Sequence, residues 1–181
     1  MTPREYAHAQ YHLTDITQAP VDLVPIIRHH QLRIVEVEVL DRADSRLQLS
    51  NTARFIRIRR DIDHTRKRWE IARQIGLFVM LSEGERPRVR DTSVFASELL
   101  MPAELVVRLY RNRREWLKNA MLVGMSATKR DMIRGLSWQF EVDDRAIAIR
   151  LDELHLGPGA GPNKRVWSSS PGVIPRWEAD T

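Results

Sequence analysis

Phe95-Ala96-Ser97-Glu98-Leu99-Leu100-Met101-Pro102 reads as the end of a helix with one apolar stripe. Val94, Phe95, Leu99 and Met101 form the stripe, and Pro102 ends it, because proline has no N–H to give and its ring clashes with the preceding turn. Asp91 or Thr92 is the expected cap, since either side-chain oxygen can accept from the free N–H groups of a first turn. Upstream, the charged run Ser82 to Arg90 is a loop. Before it, Lys67 to Leu81 (KRWEIARQIGLFVML) lacks proline and sets Trp69, Ala72, Ile75, Gly76 and Val79 at helical spacing, so it predicts a largely buried helix. Trp69 and Phe95 are core candidates on that spacing. Gly76 costs such a helix about 1 kcal/mol against alanine, which points to close approach of a neighbouring backbone.

Further out, Ala103 to Leu122 is amphipathic, with Leu105, Leu109, Trp116 and Ala120 on one side and arginines on the other. Asp131 to Phe140, a turn at 141–143 and Asp144 to Leu156 predict two tightly joined helices in the manner of a helix-turn-helix. Towards the N-terminus, Pro20 to Gln31 predicts a helix from Val21, Val24 and Ile27. Leu32 to Leu40 alternates Ile34, Glu36 and Glu38 against Val35, Val37 and Val39, the period of a half-buried strand, and Arg54 to Arg60 predicts a second strand. Residues 1–19 are polar around Tyr6 and Tyr11 and form a short helix at most, broken at Ala19-Pro20. The expected class is α+β: a mainly helical domain with a small β-sheet, closed by a C-terminal helical pair. It spans residues 20–156, between an N-terminal extension (1–19) and a Gly/Pro/Ser-rich tail (157–181). That tail is expected to be extended or disordered, with Trp167 and Trp177 as anchors of a docking peptide.

The chain has 181 residues, enough for one domain with its own core, and 43% hydrophobic with 29% charged residues is ordinary globular usage. No apolar run approaches the roughly 20 residues of a membrane helix, and the first ten residues do not resemble a secretory signal, so a soluble cytoplasmic protein is expected. No cysteine is present, which excludes disulfides and thiolate metal sites and leaves six histidines and the carboxylates as metal ligands. The net charge of +5 is carried mostly by arginine and suits an acidic partner.

Three blocks, in order, carry a resemblance. Pro20-Val21-Asp22-Leu23 leads into the first strand; Arg66-Lys67-Arg68-Trp69-Glu70-Ile71-Ala72-Arg73-Gln74-Ile75-Gly76-Leu77 covers the first half of the buried helix; and Phe95 to Pro102 is the most specific. With the closing Gln139 to Val142 and Ala146 to Leu154, they resemble the ImmA/IrrE family of zinc metallopeptidases over about residues 20–156. The resemblance implies a zincin-like fold and a His-Glu-x-x-His helix. In such a helix two histidines four apart bind zinc at about 2.0–2.1 Å, and the glutamate acts as general base on the zinc-bound water. Here those three positions are Arg73, Gln74 and Leu77, and the downstream acidic ligand falls near Asp91 or Val89. Arginine is a donor only, glutamine cannot take a proton at neutral pH, and leucine has no lone pair. The motif is degenerate and zinc is not expected. His8 and His12, the adjacent His29 and His30, and His64 do not rebuild a site by spacing.

The expectation is therefore a pseudo-peptidase that keeps the fold as a binding module. The family includes proteins of phages and mobile elements that antagonise helix-turn-helix repressors, so the resemblance implies a repressor-type or other regulatory protein partner. Arg66, Arg68, Arg73, Gln74 and Glu98 are the candidates to line the former cleft, with Glu98 pairing with an arginine such as Arg68. Two alternatives remain open. One is a basic nucleic-acid-binding accessory factor using Arg108, Arg111, Arg113, Arg114 and Lys118; the other is a metallopeptidase with a rearranged zinc site. The helix pair at 131–156 argues against reading DNA itself, because Asp143, Asp144, Asp152 and Glu153 at the ends of its second helix repel phosphate.

Overall fold

The computed structural model describes residues 1–41, 43–50, 53–122 and 128–156; the tail with Trp167 and Trp177 lies outside the described residues. Among the described residues, seven α-helices and three strands follow in the order α1 (Pro3–His8), α2 (Val24–His29), β1 (Leu32–Val37), β2 (Ser45–Leu49), β3 (Arg54–Arg59), α3 (His64–Ser82), α4 (Val89–Leu100), α5 (Ala103–Leu122), α6 (Lys129–Phe140) and α7 (Asp144–Glu153). This is the expected α+β class. No helix among the described residues is long and apolar enough to cross a membrane.

The strands order as β1-β3-β2, with β1 parallel and β2 antiparallel to β3. One face lies on α3, where Ile56 and Ile58 of β3 are buried and Ser45 of β2 is enclosed. The alternation in β1 does not make it half-buried as expected. Ile34 and Val35 point to opposite faces, yet both are 39% exposed, because β1 is an edge strand and α3 packs over β3 and β2. Strand β2 was not anticipated by the period reading, since Ser45-Arg46-Leu47-Gln48-Leu49 offers only two apolar residues.

Several boundaries move for local reasons. Helix α2 begins at Val24 rather than Pro20. Pro25 is tolerated only in a first turn, and Asp22 accepts the Val24 N–H at 2.9 Å. Helix α4 begins at Val89, ahead of both expected caps; Asp91 sits inside its first turn and accepts the Arg88 N–H at 2.8 Å. Helix α5 has the expected bounds, and Leu105 is buried as expected with Leu109 packed against the core, but Trp116 is 53% exposed, and Val106, Tyr110 and Leu117 complete the buried stripe in its place. Glu141, at φ 52°, turns the corner between α6 and α7 and receives His64 at 3.0 Å and Arg68 at 3.8 Å. Residues ahead of Pro20 take part in the fold: Tyr6 and Ala7 are buried, and α1 packs on α4 and α3.

Gly76 is explained by a side chain, not by the neighbouring backbone expected from the sequence. A Cβ there would stand 2.6 Å from the ring of Phe95, which is fully buried. The helix α3 glycine and the α4 phenylalanine are one packing unit.

The C-terminal end of α4 is fixed by charge. Glu98, 3% exposed, pairs with Arg150 of α7, 1% exposed, at 2.6 Å, and not with Arg68, which donates to the Val21 carbonyl and faces Glu141. Arg150 also donates to the Met101 carbonyl at 3.0 Å and pairs with Glu153 at 3.0 Å. The Tyr11 hydroxyl donates to the Glu98 carbonyl at 2.9 Å, and His8 lies 3.1 Å from the Glu98 carboxylate. Burial alone would push the Glu98 carboxyl up, but Arg150 and His8 hold it below the ordinary glutamate value. Burial beside Glu98 pushes the Tyr11 phenol up, so it remains a donor.

Two outcomes are expected. Gly76→Ala loses about 1–3 kcal/mol in a thermal or urea melt through overpacking, and Phe95→Leu in the same chain recovers part of it. Arg150→Met costs about 3–5 kcal/mol at neutral pH by leaving Glu98 buried and unpaired. Because the folded Glu98 carboxyl titrates below its unfolded value, its contribution is full above the unfolded value and is lost as pH falls through the folded one. Urea melts across the acid range should therefore show a flatter acid limb for Glu98→Gln than for the parent.

Candidate functional site

Helix α3 is capped by Asp63, whose carboxylate accepts the Arg66 N–H at 2.9 Å. From that start the helical repeat brings Arg66, Glu70, Arg73 and Gln74 onto the face that meets β2. Glu70, 2% exposed, is the centre. It accepts the Ser45 hydroxyl at 2.6 Å, Arg73 at 3.1 Å and Arg66 at 3.3 Å. Ser45 in turn accepts the Gln74 amide at 2.7 Å, which uses its hydroxyl as both donor and acceptor. Arg66 reaches on to Asp44 at 3.0 Å, and Arg59 closes the chain on Asp44 at 3.3 Å. A line of alternating charge thus runs Arg59, Asp44, Arg66, Glu70, Arg73. In this network Gln74 Oε1 and Arg73 Nε are buried without a partner.

Of the five cleft candidates, the fold brings Arg66, Arg73 and Gln74 together. Arg68 faces Val21 and Glu141, and Glu98 belongs to the Arg150 cluster. Leu77 is half-buried on the same helix, and Asp91 serves the first turn of α4. Arg73 can offer only N–H groups, Gln74 is engaged by its amide nitrogen, Leu77 has no donor atom, and Asp91 accepts a backbone N–H. This set does not fit a zinc ion. Among the described residues, no group of three or more His, Asp or Glu side chains could hold a metal. His8 faces Glu98, His64 faces Glu141 and His30 faces Gln10 at 2.7 Å, while the ring of His29 meets those of His12 and His30 edge to face at 6.4 and 4.9 Å.

The α5 cations divide. Arg108 donates to the Thr17 carbonyl. Arg113 lies against Gly135 of α6, where a Cβ would stand 1.8 Å from its guanidinium carbon, and sits 5.7 Å from the Trp116 ring centre. Arg111, Arg114 and Lys118 are exposed.

Sequence reasoning missed Glu70, Ser45 and Asp44. For Glu70 a signal existed, because it stands four residues after Arg66 and three before Arg73, the spacings at which helical side chains pair. For Ser45 and Asp44 there was none, since their roles depend on a strand that the period reading did not find.

No curated protein matches the chain. The family model for the M78 peptidases, described as the IrrE N-terminal-like domain, matches residues 27–152, from α2 through nearly all of α7. With that match covering well over half its length, the chain belongs to the IrrE N-terminal-like family of M78 peptidases.

Proposed function

We propose that this chain is a catalytically inactive member of its family, a regulatory module that binds a repressor-type or other regulatory protein partner without cutting it. The observation that carries this reading is the bonding of Arg73 and Gln74 into the network with Glu70 and Ser45: these are two of the three positions at which the family resemblance implies a zinc ligand and the general base, and both are held by internal hydrogen bonds. Peptide hydrolysis needs a nucleophilic water and a group to take its proton. Gln74 takes none, and Glu70 is held by two guanidinium groups. Arg66 and Arg73, each only partly covered, offer cationic edges to an acidic partner surface at the same place. The exposed face of Arg111, Arg114 and Lys118 on α5 favours a second reading, an accessory nucleic-acid-binding factor.

Two measurements test the first reading. Elemental analysis of protein dialysed against zinc should find less than one metal per chain. Incubation with zinc and helix-turn-helix repressors from the same genome should give a complex on gel filtration with both chains intact. Stoichiometric zinc together with cleavage that a chelator stops would overturn it. In a urea melt, Glu70→Ala should cost about 3 kcal/mol, because it leaves Arg73 and Arg66 facing each other under the sheet.

A further inference from the structure

The face of the sheet turned away from α3 is the least explained surface of the molecule. Strand alternation puts Ile56 and Ile58 against α3, and so Phe55, Arg57 and Arg59 on the opposite side. The register extends this side across the sheet. Val35, Arg57 and Arg46 stand abreast in one row, and Arg33, Phe55 and Gln48 in the next. Arg59 is neutralised by Asp44 and Asp61. No carboxylate among the described residues pairs with Arg33, Arg46 or Arg57.

One register pair makes this more than a solvated surface. Arg46 and Arg57 are direct cross-strand partners, and like charges directly opposite destabilise a sheet. Around Glu70 and Glu98 the protein answers its arginines with carboxylates. Here it places two cations opposite each other, with a third one row away and a half-exposed aromatic ring between them. With strands about 4.8 Å apart and alternate residues about 6.7 Å apart along them, the three guanidinium stems arise within about 12 Å.

We propose that this face binds single-stranded nucleic acid, with Arg33, Arg46 and Arg57 on successive phosphates and the Phe55 ring stacked on a base. Phosphates relieve the Arg46–Arg57 repulsion, and a flat sheet with a central aromatic suits unpaired bases. Duplex DNA instead requires an element that enters a groove, and this face projects none among the described residues. The site is separate from α3 and from α5, so it stands or falls independently of the protein partner proposed above.

The test is fluorescence anisotropy of a labelled oligothymidylate titrated with the full chain. The expected result is binding whose log–log salt slope is about −2, from three phosphate contacts on a single strand. Phe55→Ala should weaken it about tenfold. Arg46→Glu with Arg57→Glu should abolish it, while Arg111→Ala with Arg114→Ala and Lys118→Ala leaves it within about twofold. Circular dichroism and melting temperature of each variant guard against unfolding, and Arg57→Gln, which removes the charge but keeps a polar, hydrogen-bonding side chain, provides a milder second variant that should weaken binding without reversing the charge of the face. Absence of binding at low salt overturns the proposal. So does binding that the α5 substitutions remove and the sheet substitutions leave intact. Equal affinity for a duplex of the same length, with no effect of Phe55→Ala, overturns it as well.

Discussion

Taking a carboxylate and a guanidinium out of water costs several kcal/mol per ion, and the Glu98–Arg150 pair bears that cost at the centre of this fold. It is repaid only because the remaining hydrogen-bonding capacity is used. Tyr11, His8, Met101 and Glu153 complete the shell, drawn from the N-terminal segment, the end of α4 and α7. The Met101 carbonyl is one that a helix end would otherwise leave open. Fixing the end of α4 also fixes Phe95 one turn earlier, and Phe95 sets how closely α3 can approach through Gly76. The position of the motif helix therefore depends on a pair located away from the motif.

That separation makes the packing of α3 on α4 independent of the groups on the sheet side of α3. Glu98, Phe95 and Gly76 hold α3 and α4 together whatever Arg73, Gln74 and Leu77 become. On the sheet side of α3 a different balance applies. Two arginines and one glutamate on a helix face need further neutral and acidic partners, and β2 with its leading loop supplies them as Ser45 and Asp44. A cationic site remains where the family resemblance implies a metal, but its cations are side chains.

Legibility in the sequence followed the range of the interaction. The α3 and α4 helices, the position of β3 and the stop at Pro102 were readable, because periodicity and proline act within a few residues. The α2 start is set by Pro25, a local signal in the sequence that outweighs the apolar spacing from Val21. The partner of Glu98 was not readable: Arg150 lies 52 residues away, and nothing in its surroundings distinguishes it from the exposed arginines. The same holds for Trp116, whose exposure depends on how α5 rolls against its neighbours rather than on its own spacing.

The network under the sheet also couples its members to one another. Ser45 has one hydroxyl proton, already given to Glu70, so Gln74→Glu alone would set a second carboxylate against an oxygen with nothing left to donate. Arg73→His alone would strip Glu70 of one of its two cations. Removing Glu70 leaves the arginines facing each other. No single member can therefore be exchanged without loss of stability unless a neighbour changes with it, and the buried face of α3 behaves as one unit toward substitution.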